Sequence, residues 1–297
     1  MRFGLFGTGP WAREAHAPGL AAHGDVEFAG VWGRNADKAA ALAEQYGAEA
    51  YADADALIAD VDAVAIALPP GVQAPLALRA ARAGKHLLLD KPVAFTAAEA
   101  DEIAAAATAQ ASVVFFTRRF MPELDAFVTA AAATGGWVEA RVDQVGTIYD
   151  EGNPFGASPW RRESGGLWDV GPHALALVLP VLGPVTEVSA MVAPRDMTHL
   201  LVRHASGVVS RITLSVDVPP AAAREEAMFF GEAGIRRVPD VAWAPVTAYR
   251  NALDDLLAAA RGGPRPDLDV RFGARITAIL AGAAEAARTG RTIAVSG

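Results

Sequence analysis

Over the first 118 residues, short apolar runs alternate with Ala-rich stretches whose apolar positions recur at helical spacing. "MRFGLFGTG" leads into a helix predicted from Trp11 to His23. "VEFAGVWGR" leads into "NADKAAALAEQYG", with Asn35 as N-cap and Gly47 as the stop. The runs "VDAVAIALP", "KHLLLD" and "SVVFFTRR" read as further strands, separated by helices in "APLALRAARAG" and "TAAEADEIAAAATAQ". Strands joined by single helices predict a parallel sheet with helices on both faces.

Past Arg119 the alternation changes. "PELDAFVTAAAATG" predicts a helix, "WVEARVDQVGTIY" an alternating strand, and 150–166 a Gly/Pro-rich loop ending in "SGG". A helix over "GPHALALVLPVLG" follows. "TEVSAMVA", "MTHLLVRHA", "GVVSRITLSVDV" and "EAMFFGEAG" then read as strands of a largely antiparallel sheet. "VTAYRNALDDLLAAARGG" and "VRFGARITAILAGAAEAARTG" return to helix. The expectation is an α/β fold: a doubly wound parallel sheet over 1–118, then an α+β domain over 119–297 with an open, mostly antiparallel sheet. Helices cover one face of that second sheet. Alternation in "GVVSRITLSV" leaves the other partly apolar, which predicts a homodimer or homotetramer.

Composition narrows the partners. With 26 basic against 34 acidic residues the net charge is −8, and no basic run offsets it, so nucleic acid is not an expected partner. No uninterrupted apolar stretch reaches membrane-spanning length, Pro180 breaking the longest candidate, and no membrane association is expected. The N-terminus carries one Arg and no signal-peptide plan, which predicts a cytoplasmic protein. The absence of cysteine excludes disulfides, thiolate metal sites and a cysteine nucleophile. His199 and His204 have opposite parity on one strand and make a poor metal pair; His16, His23 and His86 are isolated, and no metal is expected.

The stretch "GLFGTGPWA" carries the first chemistry. Gly7, Thr8, Gly9, Pro10, Trp11 and Ala12 fit the G-x-G-x-x-A form of a dinucleotide fingerprint, placed after a strand and opening a helix. Gly7 permits the tight turn, Gly9 the approach of a pyrophosphate, and the helix N-terminus offers it unpaired N–H groups. At the end of the second strand stand Gly33, Arg34 and Asn35, with no carboxylate before Asp37. A carboxylate there would bind the ribose of NAD; its absence and the Arg34 guanidinium favour the 2′-phosphate of NADP, with NAD still possible.

From Gly84 through Asp90, Lys91 and Pro92, "GKHLLLDKP" resembles a motif of the Gfo/Idh/MocA oxidoreductases. The resemblance runs along nearly the whole chain, through "ALPP", "RRFMP", "SPWRRESGGLWDVGPHALAL", "FFGEAG" and "GARITAILAGAAEAARTGRTIAV". It implies a Rossmann domain followed by an open-sheet domain, and hydride transfer between a nicotinamide and a carbinol or ketone carbon of a sugar, cyclitol or similar small molecule. It implies that Lys91 is catalytic, that Asp169 and His173 form the D-x-x-x-H pair, and that Arg119, Trp160 and Arg161 border the substrate. Leu68, Pro69, Gln73 and Asp90 fall at cofactor-side positions, although Gln73 replaces a common His, Leu68 a Thr or Ser, and Asp90 a Glu.

The chemistry asks for such groups. Oxidising an alcohol removes its hydroxyl proton as hydride leaves carbon, and an imidazole is the natural group to take it, which makes His173 the candidate. Lys91, when charged, polarises the reacting oxygen. Asp169 is four residues before His173, so on one helix the two share a face and the carboxylate orients the imidazole. Two other functions fit the resemblance: a non-catalytic dinucleotide-binding regulator, and an NAD-dependent glycosidase in which oxidation is transient.

Overall fold

The computed structural model describes residues 1–295, and all element counts below refer to these. A six-stranded parallel sheet is built from β1 (Arg2–Phe6), β2 (Glu27–Trp32), β3 (Glu49–Tyr51), β4 (Ala63–Ile66), β5 (His86–Asp90) and β6 (Ser112–Phe115), in the order β3-β2-β1-β4-β5-β6. Central strands β1, β4 and β5 are apolar without alternation because both their faces are buried.

The connecting helices are α1 (Ala17–Ala21), α2 (Ala36–Tyr46), α3 (Ala54–Asp60), α4 (Pro70–Arg82) and α5 (Ala97–Ala106). Their ends follow local side-chain chemistry. Asn35 Oδ1 accepts from Lys38 N at 2.9 Å and Gly47 closes α2 at φ 66°. Thr96 and Glu99 form a reciprocal capping box on α5. The first helix stops at Ala21, two residues short of expectation, and is preceded by a π-helical turn over Ala12–His16. β3 and α3 were not foreseen; each is short, and only the Asp53 side chain, accepting from Asp55 N, marks the start of α3.

The second half contains α6 (Pro122–Thr134), β7 (Trp137–Val145), α7 (Pro159–Asp169), α8 (Gly171–Leu182), β8 (Val185–Ala193), β9 (Met197–His204), β10 (Val209–Ser215), β11 (Arg224–Gly231), β12 (Gly234–Arg237) and β13 (Ile293–Ala294). The strands order as β12-β11-β7-β10-β9-β8-β13, antiparallel except for β7 with β10. Alternation holds: Thr198, Leu200, Val202 and His204 of β9 are buried, while His199, Leu201 and Arg203 are exposed. Gly171 lets α8 press close, since a Cβ there would meet Leu280 at 2.9 Å and Leu214 at 3.2 Å.

Two helices complete the chain, α9 (Pro245–Ala260) and α10 (Val270–Thr289). The compact units are Met1–Met121 with Ala242–Ala274, and Pro122–Val241 with the residues from Arg275 onward. A single boundary between 118 and 119 therefore differs from the observed division, in which the chain leaves the first unit and returns to it. Tyr249 of α9 shows why: its ring is fully buried against Gly19, where any Cβ would collide with it, and lies 5.0 Å from Phe115.

The helices α7 and α8 follow each other directly. Together Pro159–Leu182 is long and apolar enough to cross a membrane, because the two helices run nearly end to end. Its apolar side chains are mostly buried within the protein, as in a core helix.

Candidate active site

The sheet order of the first unit reverses direction between β1 and β4, and ligands of such sheets sit beyond the carboxyl ends of the strands at that point. Onto this edge the fold brings Gly7–Trp11 after β1, Gly33–Asn35 after β2, Leu68 and Pro69 after β4, and Asp90 and Lys91 at and after β5. Gly7 is required: its φ is 131°, and a Cβ would collide with Ala67 O. Gly9 by contrast has no neighbour within 4 Å of a would-be Cβ, which leaves the backbone open to a ligand. Gly33 packs on Thr8, whose Cγ2 lies 2.8 Å from a would-be Cβ, so a longer side chain there requires the Thr8 side chain to shift.

Arg34 is exposed, and among the described residues it enters no hydrogen bond or ion pair. Trp11 packs its ring on Phe115 at 6.0 Å and on Trp243 at 5.8 Å, an aromatic cluster that the fingerprint alone did not suggest. Arg13, not singled out from sequence, donates from Nε to Thr8 O at 3.2 Å and so stands on the glycine turn. Its signal was a cation in the first turn of the fingerprint helix.

Gln73, expected on the cofactor side, stands under the same edge in α4. Its side chain is fully buried, and its amide clasps the end of β5. Nε2 donates to Asp90 O at 2.8 Å, Pro92 O at 3.1 Å and Val93 O at 3.3 Å, while Oε1 accepts from Asp90 N at 3.0 Å. Asp90 Oδ1 accepts from Lys91 N at 2.8 Å, folding the carboxylate back over the turn, and the Lys91–Pro92 bond is cis. Arg119, expected at the substrate, lies in a 3-10 turn, Thr117–Phe120, with its side chain buried.

In the second unit the region expected to be a loop, 150–166, already contains the start of α7. Pro159 at its first turn favours the helix, which is broken inside at Gly165 (φ 65°, ψ −166°). Asp169 ends α7 and His173 sits in the first turn of α8, with Val170 between them as the cap. The two thus flank a junction at Val170, whose backbone stays in the right-handed helical region, with Val170 N donating to Gly166 O and Ala174 N to Val170 O on either side of it. Arg161 Nε donates to Asp169 Oδ2 at 3.0 Å, both side chains being largely buried, and the guanidinium lies 4.7 Å from Trp160 and 5.3 Å from Phe155. Tyr149 donates its hydroxyl to Arg161 O at 3.0 Å, and Arg162 stacks over its ring at 4.5 Å. Arg161, expected to touch substrate, is therefore also the cationic partner of Asp169.

The first unit fits a dinucleotide, on the open backbone at Gly9 and the unengaged guanidinium of Arg34. Among the described residues no group of three His, Asp or Glu side chains is arranged to hold a metal ion.

Residues 1–117 match the model of the oxidoreductase family with an NAD-binding Rossmann fold, and 139–236 match the GFO/IDH/MocA C-terminal domain. A dTDP-3,4-didehydro-2,6-dideoxy-alpha-D-glucose 3-reductase of Streptomyces antibioticus is 28% identical over 270 residues, covering 84% of this chain and 78% of that protein. A D-xylose 1-dehydrogenase (NADP(+)) 2 of Haloferax volcanii is 27% identical over 331 aligned positions, covering 99% of each. The structure of the WlbA dehydrogenase from Bordetella pertussis, in complex with NADH and UDP-GlcNAcA, superposes with a TM-score of 0.87 at 21% identity, covering 100% of this chain and 98% of that one. With both family models matched in order and the two sheets observed, the chain belongs to the Gfo/Idh/MocA family of oxidoreductases.

Proposed function

We propose that this oxidoreductase uses NADP(H) and interconverts a carbinol and a ketone carbon on a sugar, cyclitol or similar small molecule. The observation that carries the cofactor preference is Arg34, an exposed guanidinium without a protein partner among the described residues, at the end of β2 where no carboxylate stands. Arg13 on the glycine turn supplies a second cation for the pyrophosphate. The nicotinamide, when bound, supplies or accepts the hydride.

The chain's own residues handle the oxygen and its proton. His173 takes the hydroxyl proton in the oxidative direction and returns it in the reductive one. The Lys91 ammonium stabilises negative charge on that oxygen. Asp169, held by Arg161, steadies the junction between α7 and α8 on which His173 stands. Trp160 and Arg161 offer a ring face and N–H donors to a polyhydroxylated substrate. The sugar substrates named for the Streptomyces and Haloferax relatives support this class.

The test is a fluorescence titration with NADPH and NADH, followed by reduced-nicotinamide absorbance with D-xylose, myo-inositol and UDP-N-acetylglucosamine. NADPH is expected to bind more tightly, with Arg34→Asp reversing the order; equal affinities in the native protein overturn the preference. Cofactor binding without turnover of any compound favours a regulator. Sugar release without a net absorbance change favours the glycosidase reaction.

A further inference from the structure

The turn between β8 and β9 runs over Pro194, Arg195 and Asp196, and the last two have φ angles of 59° and 56°. Two successive left-handed residues, neither a glycine, are a strained way to turn a hairpin, and persist where the surroundings hold them. Here Ser215 Oγ donates to Arg195 O at 2.8 Å, and Arg195 Nη1 donates to Asp217 O at 3.1 Å. The turn thereby aims the half-buried Asp196 carboxylate at the kink of α7, where it accepts from Gly166 N. It also accepts from Val216 N.

The kink is shaped to receive it. Gly165 adopts φ 65°, and any Cβ there would collide with the Asp196 carboxylate. A Cβ on Gly166 would lie 2.8 Å from Ser215 Cα. From Gly166 a ladder of backbone bonds leads to the chemistry: Val170 N donates to Gly166 O at 2.9 Å, and His173 N donates to Val170 O at 3.0 Å. Burial, and to a smaller degree the charges of Asp217 and Asp169, raise the Asp196 carboxyl above its ordinary range, while the Gly166 and Val216 N–H groups pull the other way. A carboxylate kept in so unfavourable a place needs a reason.

We propose that Asp196 is a positioning residue, pinning the Gly165–Gly166 kink and so fixing the helix junction that carries Asp169 and His173. The inference rests on the reading of those two residues given above. It assigns Asp196 no contact with substrate or cofactor.

Asp196→Gly suits the left-handed turn while removing the carboxylate, so the hairpin is kept. Asp196→Asn tolerates the same φ and keeps an oxygen for Gly166 N. In Asp196→Gly, amide hydrogen exchange across 165–173 is expected to rise while peptides from β1 to β6 stay unchanged. On the substrate turned over fastest in the panel above, kcat should fall roughly tenfold to a hundredfold, the scale of a small misplacement. KM and NADPH affinity should hold, and Asp196→Asn should restore most of the loss. Unchanged exchange overturns the proposal, as does an unchanged kcat when His173→Asn is itself impaired. Full turnover in His173→Asn would instead sink the reading of His173, and the exchange result alone would then decide whether Asp196 pins the kink.

Discussion

Lys91, His173 and Asp169 should fail in different ways when replaced. Lys91→Met and His173→Asn are expected to lower turnover by roughly 10²-fold or more, the usual worth of positioned acid–base and charge-stabilising groups, with little change in NADPH affinity. Asp169→Asn should also lower the unfolding temperature, since it leaves the largely buried Arg161 guanidinium without its anion. Steady-state kinetics beside thermal unfolding separate the two kinds of loss. His16 makes a different prediction. Burial lowers its pKa to about 3, so the folded protein keeps it neutral while the unfolded chain protonates it near 6.5. Between those values the unfolded state binds the extra proton, and stability falls as pH falls, by roughly 1.4 kcal/mol per unit. The contribution is complete above pH 6.5. In His16→Leu the drop in unfolding temperature between neutral and mildly acidic pH should shrink; an identical drop would show that other groups carry it.

Between β5 and α4, one amide joins two elements. Gln73→Leu has nearly the same bulk but leaves Asp90 N and three carbonyls without their partner, which should cost about 2–4 kcal/mol in urea unfolding. Because the same turn carries Lys91, kcat should fall as well; a stable variant with full activity would show that the clasp is dispensable. This clasp also marks where the sequence stopped being legible. Gly7, Gly9, Asn35 and Gly47 act on their own turns, so local rules found β1, β2 and α2. Gln73 reaches partners 17 to 20 residues away, and Asp196 reaches Gly166 across 30, with no spacing rule to announce either. β3, β12 and β13 have four residues or fewer, too few for a period to show. α7 was hidden by the glycines that let it kink.

For the molecule as a whole, the second sheet keeps one face mixed rather than polar. Met191 is 71%, Leu201 51% and Ile235 60% exposed, set among the cross-strand pairs Arg211–Glu139 and Arg203–Glu187. Apolar side chains within a frame of matched charges suit a second copy of the same surface, where each pair finds its like across a twofold axis. Light scattering at micromolar concentration should therefore report a dimer or larger, and Met191→Asp with Leu201→Asp should reduce it. A native monomer would refute this assembly.

The return of the chain to its first unit sets an order of events during synthesis. β6 is an edge strand, and its free side is closed by later residues: Val114 N donates to Leu268 O at 2.7 Å, and Val270 N donates to Ser112 Oγ at 3.2 Å. Until the ribosome has made the whole of Pro122–Val241 and gone beyond it, that edge stays bare and the hollow over Gly19 stays empty. The nascent nucleotide-binding unit thus waits, unsealed, with a strand edge open to other chains. A gene cut after Met121 removes the seal along with the rest, so this half cannot be borrowed as a module by a single crossover.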